Sequence, residues 1–177
     1  MGRRADPLLG AVLLGGALVA SAALSARWSP APIHPRTYGY YRRLEKPSFT
    51  PPDAAFAVWG PLWAALAAAG WRLWRAKPSA ARSRALAHWF GAQALNTLWL
   101  WLGFQRRNRA AMAVEAGATV VNAAALADAA RRVDGPAAVL ALPYLAWIGF
   151  AGLLSEEIWR LNEDRGEDGR RETADAP

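Results

Sequence analysis

Residues 8–26, LLGAVLLGGALVASAALSA, run without a single charged side chain. Wound as an α-helix at about 1.5 Å per residue, the stretch reaches about 28 Å, close to the hydrocarbon thickness of a bilayer, about 30 Å. Apolar groups surround such a helix, leaving no polar stripe for water. Working outward, further uncharged runs occupy 54–71, 85–105 and 136–155, and the run 110–127 is interrupted only by Glu115. A soluble bundle of 177 residues has too much surface to hide five such helices. The pattern predicts an all-α membrane protein, a five-helix transmembrane bundle over residues 1–162, followed by a charged tail, 163–177, that reads as disordered. The first run also fits a cleavable leader, since Arg3 and Arg4 precede it and ALSA closes it; its length and the interfacial Trp28 favour a retained span.

Composition narrows the chemistry. There is no cysteine, so disulfides, thiol nucleophiles and thiolate metal sites are excluded. The net charge of +7 sits in the connections, where lipid headgroups are a simpler partner than nucleic acid. Short connections make successive helices antiparallel, with longer ones at 27–53 and 72–84 and tight turns at 106–109 and 128–135. Lysines and arginines close to the membrane divide evenly between the two faces, so charge does not orient the chain. Helical spans favour a plasma or mitochondrial inner-type membrane, and a multi-pass position in a bacterial cell membrane is the expected location.

Candidate site residues lie on shared helix faces. Trp59 and Trp63 are one turn apart on the second span, with Pro61 between them able to bend it. On the third span Trp89, Gln93, Asn96 and Leu100 form one face, and buried amides point such a face into the bundle. Lone His88 has no clustered ligand partners and does not read as a metal site. Glu115 lies near one end of the fourth span, where snorkelling or pairing with neighbouring arginines is expected. On the fifth span Tyr144, Trp147 and Ala151 share a face, Pro143 implies a local irregularity, and Gly149 and Gly152 offer thin surface for close helix approach. No acid–base or nucleophile constellation emerges and no metal or cofactor is required, so binding is better supported than catalysis.

The segment 40–52, YYRRLEKPSFTPP, resembles the first-loop pattern of the TspO/MBR family, Trp-Tyr-x-x-Leu-x-Lys-Pro-x-Trp-x-Pro-Pro. The match falls on Tyr40, Tyr41, Leu44, Lys46, Pro47, Phe49, Pro51 and Pro52. The family's second-span tryptophan and the aromatic one turn later fall on Trp59 and Trp63. Its Asn-x-x-Trp falls on Asn96 and Trp99, and its Pro-Tyr-x-x-Trp on Pro143, Tyr144 and Trp147, followed by Leu161 and Asn162. The resemblance covers about residues 27–162. It implies five transmembrane helices, often a homodimer, and a pocket under the first loop among the first, second, third and fifth spans. The implied ligand is a porphyrin such as protoporphyrin IX or haem, and in some members a sterol. Trp59, Trp63, Gln93, Asn96, Tyr144 and Trp147 would contact it, beneath a lid containing Tyr41, Arg42, Arg43, Lys46, Pro47, Pro51 and Pro52. Departures are Tyr40 and Phe49 in place of loop tryptophans, Gly103 where a bulky aromatic is common, and Ser155 where several members carry asparagine.

Four functions compete at this point. A tetrapyrrole-binding sensory or regulatory protein predicts saturable binding. Light- or oxygen-dependent porphyrin degradation predicts multiple turnovers. Transport of porphyrin or sterol predicts flux across sealed vesicles, and a purely structural helix-packing protein predicts no saturable ligand.

Overall fold

The computed structural model describes residues 6–163. Expectations for Arg3, Arg4 and the tail from 164 onward lie outside the described residues. Among those residues the chain forms helices α1 (Pro7–Trp28), α2 (Pro35–Arg43), α3 (Trp59–Arg75), α4 (Ala80–Leu100), α5 (Arg109–Arg131) and α6 (Gly135–Leu161). Most long helices begin where a side-chain oxygen accepts a first-turn N–H: Asp6 for α1, Ser79 for α4, Asn108 for α5 and Asp134 for α6. α3 instead continues from a 3₁₀ turn, Asp53–Val58. Pro61 is the third residue of α3, where a helical N–H needs no intrahelical acceptor, so it removes no ladder bond from the body of the span.

Four segments are long and apolar enough to cross a membrane: Pro7–Trp28, Asp53–Arg75, Arg109–Arg131 and Gly135–Leu161. Their outward surfaces are apolar, with Leu8, Val12, Val19, Val114, Val121, Val139 and Leu153 all exposed. This is a multi-pass integral membrane protein. α4 differs because Arg82, Arg84, His88, Gln93 and Asn96 lower its hydropathy. Gln93 and Asn96 nevertheless face inward and are buried.

The five long helices close into a ring. α1 lies against α3 and α4, α3 also reaches α6, and α5 sits between α4 and α6. Trp89 is fully buried at the centre and donates from Nε1 to the Leu66 carbonyl at 2.8 Å. Gly70 makes room for that ring, since a Cβ there would lie 2.6 Å from it. α1 is tied in by Ser21, whose hydroxyl donates to the Gln93 carbonyl at 2.9 Å. At the far end of α3, Arg82 turns back and donates to the carbonyls of Leu73 and Trp74, satisfying a helix terminus that has no further turn to bond with.

Several expectations are corrected. The second connection is only 76–79, because Arg72 and Arg75 belong to α3 and Arg82 and Arg84 to α4. The long first connection contains α2, begun by Pro35 in its first turn. A Cβ at Gly149 would meet nothing, so that glycine mediates no close approach; at Gly152 it would touch Val120 at an ordinary 3.4 Å. Glu115 does not snorkel and pairs with no arginine among the described residues. It is buried and accepts a 2.7 Å hydrogen bond from Thr119 one turn along α5.

Candidate functional site: an aromatic cavity under the first connection

The alternating helix directions bring the C-terminal ends of α1, α4 and α6 and the N-terminal ends of α3 and α5 to one face. Residues 29–58 lie across it. His34 Nε2 pairs with the Ala26 carbonyl at 2.8 Å and so fixes the turn that leads into α2. Tyr41, the buried residue of α2, packs edge-on against Phe104 with ring centroids 6.1 Å apart. Beyond α2, Thr50 bonds the Pro47 carbonyl through both its N–H and its hydroxyl, folding the proline-rich stretch back on itself.

One side chain pins this segment to the bundle. Asn162, just past α6, accepts from the Glu45 N–H at 3.0 Å and donates to the Glu45 carbonyl at 2.9 Å and to the Ile158 carbonyl at 2.7 Å. Arg109 donates to the Asn162 carbonyl at 2.8 Å, so the start of α5 joins the same clamp. α4 ends in a π-helical turn, Trp101–Gln105, in which the Arg106 N–H reaches the Trp101 carbonyl at 2.8 Å. Such turns displace side chains from regular helical register. Here Phe104 points inward, and Met112 packs into the space where Gly103 has no side chain.

Beneath the connection lies a cavity of about 480 Å³. That size falls within the usual range for small-molecule sites, about 300–1,000 Å³. Trp59, Trp63, Trp99, Trp147, Phe104 and Phe150 supply its aromatic walls. Trp59 and Trp63 are tilted with centroids 6.1 Å apart, Trp59 meets Trp147 edge-on at 6.4 Å, and Trp147 lies 5.7 Å from Phe150. The polar groups are few and placed. Asn96 accepts from the Tyr144 hydroxyl at 3.2 Å, while its Nδ2 is buried with no partner among the described residues. Trp99 Nε1 donates to Ser155 at 3.1 Å. Ser25 presents a buried hydroxyl with no partner among the described residues, and Asp53 brings a carboxylate to the lining.

Of the residues singled out from sequence, Trp59, Trp63, Asn96, Trp147, Tyr41 and Pro51 come together on the lining. Tyr144 stands behind it, orienting Asn96, and Gln93 is buried deeper in α4. Arg42 and Arg43 are exposed and off the lining, Arg42 lying 5.9 Å from the Tyr38 ring centroid. Pro47 and Pro52 shape the connection without lining the cavity. Lys46 holds its ammonium 4.4 Å from the Tyr41 ring centroid and donates to the Leu44 carbonyl. Partial burial lowers its pKa below the usual lysine value and raises the Tyr41 hydroxyl above the usual tyrosine value.

Sequence reasoning expected the first span beside the pocket but named none of its lining residues, and it missed the wall from α5. Ala22, Ser25 and Ala26 of α1 and Met112, Ala116 and Thr119 of α5 all line the cavity. The fourth span therefore joins the four expected to surround the pocket. Small side chains carry little signal in a sequence, although 112, 116 and 119 do share one helix face.

The TspO/MBR family profile matches residues 9–160. The chain belongs to the TspO/MBR family. It is 35% identical to the translocator protein of Bos taurus over 137 residues, covering 76% of this chain and 80% of the bovine protein. It is 32% identical to the tryptophan-rich sensory protein of Cereibacter sphaeroides over 129 residues, 72% of this chain and 80% of that one. Protein CrtK of Rhodobacter capsulatus is 29% identical over 125 residues, 70% and 78% of the two chains. In this TspO/MBR chain the matched region takes in the five long helices, apart from residues 7, 8 and 161 at their outer ends, and the connection that roofs the cavity.

Proposed function

We propose that this protein is a five-span TspO/MBR membrane protein that binds a porphyrin or related tetrapyrrole in the aromatic cavity and acts as a sensory or regulatory component. α4 is then the remaining span, its amides directed into the bundle rather than toward lipid. The observation that carries the reading is the cavity wall itself. Trp59, Trp63 and Trp147 present indole faces and edges to a space of about 480 Å³, with the unpaired Asn96 amide and the Ser25 hydroxyl as donors. A broad, flat, largely apolar ring suits such a wall through burial and ring contacts. The carboxylates of protoporphyrin IX would stay at the rim, where Lys46 places a cation behind Tyr41.

Binding is favoured over degradation because, among the described residues, Asp53 is the one charged group on the lining and no paired acid and base faces the space. The homodimer, sterol binding and residence in a bacterial cell membrane belong to the same family-based proposal. Titration of protoporphyrin IX into purified protein, followed by tryptophan quenching, tests it. Replacing Trp59 and Trp147 together by phenylalanine should weaken binding roughly tenfold through loss of indole area and ring contacts. Unchanged affinity removes the proposed contact. Illumination with absorbance readout separates chemistry from binding: many porphyrins consumed per protein would support an enzyme.

A further inference from the structure

A second site lies at the opposite end of the bundle. Where α4 begins and α5 ends, the two helices leave a notch of about 120 Å³. The small residue Ala125 opens it, and Arg84, His88, Asp128 and Arg132 surround it. Arg84 is exposed and takes part in no ion pair among the described residues. Asp128, the one carboxylate lining the notch, is paired with Arg132 at 2.7 Å and with Arg131, which lies off the lining, at 2.6 Å, so the two lining arginines outnumber it.

His88 is held by a two-point pair with α5. Asn122 Nδ2 donates to the His88 carbonyl at 3.0 Å, which leaves Asn122 Oδ1 to accept from His88 Nδ1 at 3.0 Å. Because Nδ1 carries the hydrogen in that pair, the ring is fixed against α5 and its Nε2 can accept but not donate. The α5 residues Val114, Ala118, Val121, Ala125, Asp128 and Arg132 recur at four- and three-residue steps, one stripe along the helix. Its first three members are exposed and apolar. A charged notch therefore ends an apolar track that faces the membrane.

We infer that this notch binds the phosphate headgroup of an anionic phospholipid, with Arg84 and Arg132 as its cationic contacts and an acyl chain along the Val121–Val114 stripe. Guanidinium groups match phosphate oxygens by paired N–H donation, and basic pockets between transmembrane helices suit anionic headgroups. A soluble phosphate would use the head of this site but leave the stripe unexplained.

The test uses the full chain in detergent, with retained lipid read by native mass spectrometry after titration with phosphatidylglycerol or phosphatidylcholine. The wild type should prefer phosphatidylglycerol on the order of tenfold, from two arginine contacts near the surface. Two independent variants, Arg84→Gln with Arg132→Gln and the notch-filling Ala125→Leu, should each abolish the preference. Removing the same charge on the cavity face, Arg27→Gln with Arg106→Gln, should leave it. No preference in the wild type, its survival in both notch variants, or equal loss in the cavity-face variant would overturn the site. Competition by inorganic phosphate as effective as the lipid would overturn the lipid assignment.

Discussion

Asn162→Ala should loosen the roof of the cavity without unfolding the bundle. The side chain is only 2% exposed and makes two hydrogen bonds to Glu45 besides its bond to Ile158. At about 0.5–1.5 kcal/mol net for each bond, losing the pair to Glu45 costs the closed roof about 1–3 kcal/mol. That corresponds to a roughly 5- to 150-fold rise in the open population. Hydrogen exchange with mass spectrometry reads this directly. Peptides covering residues 29–52 should lose protection by that factor, while peptides from the centres of α4 and α5 should not change. Protection altered less than about twofold across 29–52 would refute the reasoning. Tyr41 against Phe104 and Phe49 against Phe150 would then be holding the segment, with Asn162 merely finishing α6.

Other substitutions probe the frame that positions the cavity. Gly70→Ala drives a methyl into the fully buried Trp89 ring and should cost about 1–3 kcal/mol in thermal or denaturant stability in detergent. Arg82→Ala strips the guanidinium from the Leu73 and Trp74 carbonyls and should cost about 1–2 kcal/mol, with Arg82→Lys intermediate. Asp134 accepts from Arg72 and caps α6 through the Ala137 N–H, and these bonds hold its pKa below the ordinary carboxylate value. Its contribution is therefore complete above about pH 4 and is lost as pH falls through the lowered folded value. Asp134→Ala should lower the melting temperature at neutral pH through loss of a cap worth about 1 kcal/mol, and the gap to wild type should close in acid.

The uncharged runs made the long helices legible because lipid tolerates few charges and a helix must satisfy its own backbone. Their ends were less visible. Arg82 and Arg84 looked like connection residues, yet Arg82 folds back to satisfy carbonyls of α3, which lets α4 start at Ala80 behind the Ser79 cap. The same blindness to direction misplaced Glu115: its position along α5 suggested an arginine partner, whereas its bearing around the helix turns it inward to Thr119. Aromatic and amide residues of the site stood out since they are costly or bulky in a membrane. Ala22, Ala26 and Ala116 did not, because their contribution is the room they leave. The Asn122–His88 pair joins helices that sequence spacing alone cannot align.

The central claim is that the cavity holds the tetrapyrrole, and filling it tests that claim most directly. Ala151 lies on the lining, one turn along α6 from Trp147. Protoporphyrin IX binding should be measured by absorbance titration for wild type and Ala151→Trp, with matched melting curves showing both folded. Saturable binding by the wild type and its loss in the filled variant is the predicted result. Equal affinity in the two proteins would contradict the account.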